Sequence, residues 1–236
     1  FLEAKQFVII NKMQKKVRPD LADAFLKRIP KDKLDELGRL LGYTKPNRYV
    51  IATKIADRLI QTPIFKGKIA LEDEVRRGGK ISRSSFHRSI EYVLKSSLYE
   101  KMVEEGIDED TIVDEFTEIL VNWWSTWYEI CKEAFEDLGN YLIVRSVGIY
   151  TLHKLLRDLL GDLYDLGVEP SKDIFRKILS RMDTGTTVHF WSRTGNASRA
   201  GSGTEQASNR LAKELLKSAR HALYSLIKEG ALTEEA

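Results

Sequence analysis

Residues 110–138 read DTIVDEFTEILVNWWSTWYEICKEAFEDL. Ile112, Phe116, Ile119, Leu120, Trp123, Trp127, Ile130, Ala134 and Phe135 recur at steps of three and four, the spacing that stacks side chains on one face of an α-helix. Acidic residues crowd the start, where the helix dipole favours negative charge. The stretch predicts one helix over 110–138, with Trp123 and Trp127 packed against a second buried helix over 144–160. Trp123, Trp124, Trp127 and Tyr128 at helical spacing read as core rather than as a cofactor box.

The same period continues outward in both directions. Pro19 suits a first helical turn, followed by Leu21, Phe25 and Ile29 on one face. A short helix over 34–41 is expected to stop at Gly42. Ile51, Ile55 and Leu59 mark another helix after Pro46, and Ser82 caps one expected to run through Leu98. Further helices are expected over 171–182 and 204–230. Residues 63–80 read as irregular, and 183–204 as a long polar loop. The fold class is therefore mainly α, a helical bundle-like domain with a short apolar segment at residues 1–11. The expected organisation is a basic part over 1–100 and a helical domain over 101–236 that carries the Gly/Ser-rich loop.

Composition narrows the classes. At 236 residues, 42% hydrophobic and 31% charged, the chain is long enough to bury a core. These values exclude wholesale disorder and collagen-like repeats. One cysteine, Cys131, cannot form an internal disulfide, so the reading is a reducing, cytoplasmic setting. No apolar run approaches the roughly 20 residues that span a bilayer, so no membrane partner is expected. The net charge of +3 hides an asymmetry: 22 basic and 12 acidic residues in 1–100, against 9 and 17 in 101–182. Either the basic block faces a phosphate-rich partner, or the two blocks attract each other.

Residues 7–21, FVIINKMQKKVRPDL, place Asn11 and Gln14 among Lys12, Lys15, Lys16 and Arg18. Amides that donate and accept, beside positive charge, suit a phosphate or a nucleotide edge. The plain alternative is a loop in which Asn11 caps a turn and the lysines are solvated. Through Phe7, Ile10, Asn11, Gln14, Lys15 and Val17 the segment resembles the Phe-x-x-Ile-Asn-x-x-Gln-Lys-x-Val stretch of DGQHR-domain (DndB-like) proteins. The resemblance covers about 15 residues and is only general beyond them. It implies a ParB/sulfiredoxin-like core and a role in DNA phosphorothioate modification or prokaryotic defence. It implies DNA, a nucleotide or other proteins of the modification system as partners. The family's Asp-Gly-Gln-His-Arg motif is absent from the sequence and is expected upstream of Phe1.

Two further stretches suit anions. In RRGGKISRSSFHR, Arg76, Arg77, Lys80, Arg83 and Arg88 gather at a helix start, a placement an anion makes tolerable with help from Ser82, Ser84 or Ser85. These five, with Lys12, Lys15, Lys16 and Arg18, form the expected nucleic-acid face. In DTGTTVHFWSRTGNASRAGSGTEQ, Ser202, Gly203 and Thr204 lead into a helix beside Arg193 and Arg199, and with Asn11 and Gln14 form the expected anion or nucleotide set. The alternatives are an exposed turn and a mobile loop with Thr204 as an ordinary cap. Trp191 beside Arg193 either stacks a base or pins the loop to the core.

No HExxH, GxSxG or GxGxxG motif occurs, and His87, His153, His189 and His221 lie too far apart to read as a zinc site. No catalytic residue, metal or cofactor is assigned. The leading expectation is a DNA-binding or regulatory protein. A ParB-like nucleotide-binding or hydrolysing enzyme and a helical protein-interaction module are the alternatives.

Overall fold

The computed structural model describes residues 46–70, 80–199 and 205–232, together with positions 29, 30, 33 and 36. The described chain is mainly α. Its helices are α1 (Pro46–Ile60), α2 (Arg83–Val93), α3 (Ser97–Glu104), α4 (Glu109–Ile130), α5 (Lys132–Glu136), α6 (Ser146–Asp165), α7 (Lys172–Arg181), α8 (Asn196–Arg199) and α9 (Glu205–Lys228). A 3-10 turn covers Val188–Trp191. Two short strands, β1 (Ile69–Ala70) and β2 (Ile81–Ser82), pair in parallel with Ile69 opposite Ile81. The segment expected to be irregular over 63–80 therefore carries the first half of a small ladder.

Helix α6 is the axis of the molecule. Its wide apolar face is enclosed by the neighbouring helices, and Ile149, Leu152, Leu155, Leu156 and Leu159 are fully buried. Helices α2 and α9 flank it, α1 packs on α2 and α4, and α7 bridges α4 and α9. The pairs Lys154–Ser208 and Asp162–Arg220 both advance toward the C-termini, so α6 and α9 run parallel. One buried cluster extends from Ile51 to Leu226, and position 100 lies inside α3.

Several boundaries differ from the sequence expectation, each for a local reason. The helix begun at Ser82 stops at Val93, because Ser96 caps α3 by accepting from the Tyr99 amide. The 110–138 helix starts one residue earlier, since Asp108 accepts from the amides of Asp110 and Thr111 at 3.1 and 3.0 Å. It breaks at Cys131 (φ −122°, ψ 36°), which turns α5 so that Phe135 packs edge-on to Trp124 and Tyr128. Residues 183–199 are not a bare loop. Trp191 is fully buried against Trp127 and donates Nε1–H to the Gly185 carbonyl at 2.7 Å. Of the two readings of Trp191, pinning to the core is what occurs, and no ring face is left for a base. The helix expected over 34–41 and the one after Pro19 lie outside the described residues, apart from isolated positions.

Trp123 and Trp127 are fully buried as expected, and their aromatic neighbours come from α7 and the 188–191 turn as well as from each other. Trp123 stacks edge-on to Phe175 of α7 at 5.2 Å, and Trp127 meets Trp123 and Trp191. Trp124 is hydrogen-bonded to α6: its Nε1 donates to His153 Nε2 at 3.0 Å. An indole N–H only donates, so Nε2 accepts and the proton of neutral His153 sits on Nδ1. Nδ1 then donates to Ser89 Oγ at 2.9 Å, and Ser89 donates to the Phe86 carbonyl at 2.6 Å. This chain ties α4, α6 and α2 together inside the core, and burial pushes the His153 imidazole down to about 3.

Candidate functional site

Three helices begin around one cavity. Ser82 accepts the Ser85 amide and sets the register of α2, so Ser85 in its first turn and Tyr92 two turns later share a face. On α6, Ser146, Val147, Tyr150 and Lys154 follow steps of three and four. On α9, Glu205 and Ser208 lie in the first turn. The cavity, about 310 Å³, is lined by Ser85, Tyr92, Ser146, Val147, Tyr150, Glu205 and Ser208. Hydroxyls dominate this lining, and one carboxylate stands at its edge.

Lys154 lies directly behind the lining, 2% exposed. Its ammonium donates to Ser208 Oγ at 2.8 Å and Asn209 Oδ1 at 2.7 Å. It also sits 4.7 Å from the Tyr92 ring centroid and 5.9 Å from that of Tyr150. Among the described residues no carboxylate comes within 4 Å of Nζ, so this cation is buried on neutral partners alone. Burial lowers its pKa, with Glu205 acting in the opposite direction from farther away. Burial and then the Glu205 hydrogen bond push the Tyr92 phenol up to about 12, and its hydroxyl donates to Glu205 Oε1 at 2.9 Å. Burial also raises Tyr150, against the opposing charge of Arg88.

Helix α6 starts without a side-chain cap. Its N-cap residue, Arg145, turns its guanidinium back to the Leu138 carbonyl. First-turn N–H groups of a helix need an acceptor from outside it, and here Ser146 and Val147 border the cavity. Gly148 belongs to the same device: a Cβ there would lie 2.3 Å from the Ile143 carbonyl oxygen. Only glycine lets the preceding chain fold so closely over the start of α6. Donors, a buried cation and an open cavity make the arrangement suited to a small anion. Among the described residues no cluster of His, Cys, Asp or Glu could hold a metal ion.

The residues singled out from sequence are distributed as follows. Asn11, Lys12, Gln14, Lys15, Lys16, Arg18, Arg76, Arg77, Ser202, Gly203 and Thr204 lie outside the described residues. Lys80 is half-buried ahead of β2. Arg83 pairs with Asp57 of α1, whereas Arg88 is exposed near Tyr150. Arg193 is held on the turn before α6, its side chain donating to the Gly139 carbonyl and its amide to that of Asn140. Arg199 ends α8, and its carbonyl accepts from Arg210 of α9. The structure thus brings the 82–88 segment and the start of α9 to one cavity, with Arg193 on a different side of the α6 start.

Tyr92, Tyr150, Lys154 and Ser208 were not legible as site residues. The available signal was Lys154 itself, with Thr151 and His153, inside the most apolar part of a long helix. A polar residue in such a helix is buried and needs a partner. Compared with known proteins, the chain matches no family model, no curated protein and no solved structure.

Proposed function

We propose that this chain is a nucleic-acid-associated protein, of the DNA-binding or regulatory kind that the DGQHR/DndB-like resemblance implies, and that it contacts phosphate at the cavity between the starts of α2, α6 and α9. The observation that carries this reading is Lys154, a buried ammonium with no carboxylate within ion-pair distance among the described residues, behind a cavity lined by hydroxyls. An uncompensated buried charge costs several kcal/mol, and an anionic ligand offsets that cost. Exposed Arg88 and Lys95, whose ammonium lies 4.6 Å from the Tyr92 ring, stand where a nucleic-acid backbone approaching the cavity would meet positive charge. The basic excess of residues 1–100 adds to the same attraction. A role in DNA modification or defence, and a cytoplasmic setting, belong to the same proposal. No described helix is long and apolar enough to cross a membrane.

The test is duplex binding measured by fluorescence anisotropy across a salt series. Each phosphate contact contributes about 0.9 to the slope of log K against log salt. The double variant Arg88→Ala, Lys95→Ala is expected to flatten the slope by about one to two. An unchanged slope with an intact fold would remove this face as the DNA surface.

A further inference from the structure

Phosphate reaches proteins in two chemically distinct forms. The diester inside a nucleic-acid strand carries one negative charge and no hydroxyl. The monoester, at a chain end or on a small molecule, has a second ionisation at about pH 6 and so carries a P–OH donor in its singly protonated form. The cavity offers hydroxyl donors from Ser85, Ser146 and Tyr150, which either form can use. It also presents the Glu205 carboxylate, which only accepts and whose Oε1 already accepts a hydrogen bond from the Tyr92 hydroxyl at 2.9 Å. A diester or a sulfate placed there meets the Glu205 carboxylate with nothing to give it, so the contact is repulsive. A protonated monoester donates its P–OH to the remaining carboxylate oxygen, and the repulsion becomes a charge-assisted hydrogen bond. Lys154 lies behind Ser208, whose hydroxyl accepts from its ammonium at 2.8 Å and donates to the Glu205 carbonyl at 3.0 Å, so the lysine acts as a buried counter-charge through space rather than through that hydroxyl. The cavity of about 310 Å³ is also larger than a bare phosphate needs, which leaves room for the organic group of an ester.

We infer that the cavity between α2, α6 and α9 is a site for a singly protonated phosphomonoester, in which Glu205 accepts the P–OH, Ser85, Ser146 and Tyr150 donate to the other oxygens, and Lys154 supplies the balancing charge. This rests on the anion-site reading above and narrows it: the cavity itself takes a phosphate end, and backbone diesters are met outside it by Arg88 and Lys95. Glu205 is a specificity residue in it, since it selects by what it rejects.

Isothermal titration calorimetry on the whole chain at pH 6 tests it, with methyl phosphate, dimethyl phosphate and sulfate as probes. Methyl phosphate is expected to bind about tenfold or more tightly than the other two, the worth of one hydrogen bond to a charged group. Glu205→Gln is expected to bring the three probes within about threefold of one another, because an amide both donates and accepts. Lys154→Met is expected to abolish methyl phosphate binding. Should that variant lose its circular dichroism, the pair Ser146→Ala and Tyr150→Phe, at half-exposed positions, is expected to weaken methyl phosphate by about tenfold. Equal binding of the three probes by the unaltered chain, no binding of methyl phosphate, or an unchanged ratio in Glu205→Gln would each overturn the inference. An oligonucleotide with a 5′-phosphate that competes with methyl phosphate, beside a 5′-hydroxyl control that does not, identifies a chain end as the source. If neither competes, the source is a free phosphorylated small molecule. Duplex binding that persists without methyl phosphate binding leaves the nucleic-acid reading standing and removes the pocket, and the reverse result does the opposite.

Discussion

Substituting His153 tests whether the core depends on a neutral imidazole. His153 is fully buried, accepts from Trp124 and donates to Ser89, and burial holds its pKa at about 3 against an ordinary value of 6.5. The folded state therefore refuses a proton that the unfolded chain accepts below pH 6.5. Stability is greatest above that value and falls as the pH drops from 6.5 toward 3, because the unfolded state binds more protons throughout that window. The slope approaches about 1.4 kcal/mol per pH unit, so the group removes about 2 kcal/mol between pH 8 and pH 5. Urea unfolding followed by tryptophan fluorescence at pH 8, 7, 6 and 5 reads this directly, since the buried indoles report loss of the core. In His153→Gln the amide oxygen still accepts from Trp124 but the side chain does not titrate. That variant is expected to be less stable at pH 8 and to lose about 2 kcal/mol less than the unaltered chain on going to pH 5. His87, His189 and His221 are present in both proteins and cancel in the comparison. Parallel stability curves for the two proteins from pH 8 to pH 5 would refute the assignment of a neutral, inaccessible imidazole.

Two further substitutions separate packing from hydrogen bonding and from backbone approach. Trp123→Ala and Trp127→Ala are each expected to cost about 3–5 kcal/mol in chemical denaturation, as for other large residues removed from a core. The indole nitrogens of Trp123 and Trp127 have no hydrogen-bond partner among the described residues, whereas that of Trp124 does. Trp124→Phe is accordingly expected to exceed Trp123→Phe by about 1–3 kcal/mol, the cost of leaving His153 Nε2 unmet. Gly148→Ala gains about 1 kcal/mol of helix propensity on paper, yet its methyl would overlap the Ile143 and Leu142 carbonyls. A net loss of thermal stability is the expected result, and a rise in Tm would show that the 142–143 turn moves freely.

The apolar spacing of residues 110–138 made the central helices legible because hydrophobic burial repeats with the helical turn. What stayed hidden was where one helix stops and the next begins. Ser96 and Asp108 end and start helices through single side-chain hydrogen bonds to backbone amides, signals as small as the many serines and aspartates that cap nothing. The break at Cys131 leaves no trace in the pattern, since Ala134 and Phe135 keep the same spacing on either reading. It is set by tertiary contact, where Phe135 finds Trp124 and Tyr128. The cavity was illegible for a related reason. It is assembled from the first turns of helices that start at residues 83, 146 and 205, and no local spacing reports that three such turns meet.

The charge asymmetry of the sequence allowed two explanations, and the structure shows contacts of the second kind, between the basic and acidic blocks. On α1, Lys54 pairs with Glu109 and Asp110, and Arg58 with Asp114, so cations of the basic block meet carboxylates of the acidic block along α4. These pairs are largely exposed and contribute little to stability, about 0–1 kcal/mol each. Their effect is on where positive potential remains. With the α1 cations facing α4, and Arg83 turned to Asp57, Arg88 and Lys95 are left exposed on either side of Tyr92 in the chain. Screening falls off over about 8 Å at physiological salt, so only cations this close to the cavity act on an anion entering it. Under the proposed phosphate reading, the exposed cations of residues 80–100 that remain for it are Arg88 and Lys95, on the α2 side of the cavity.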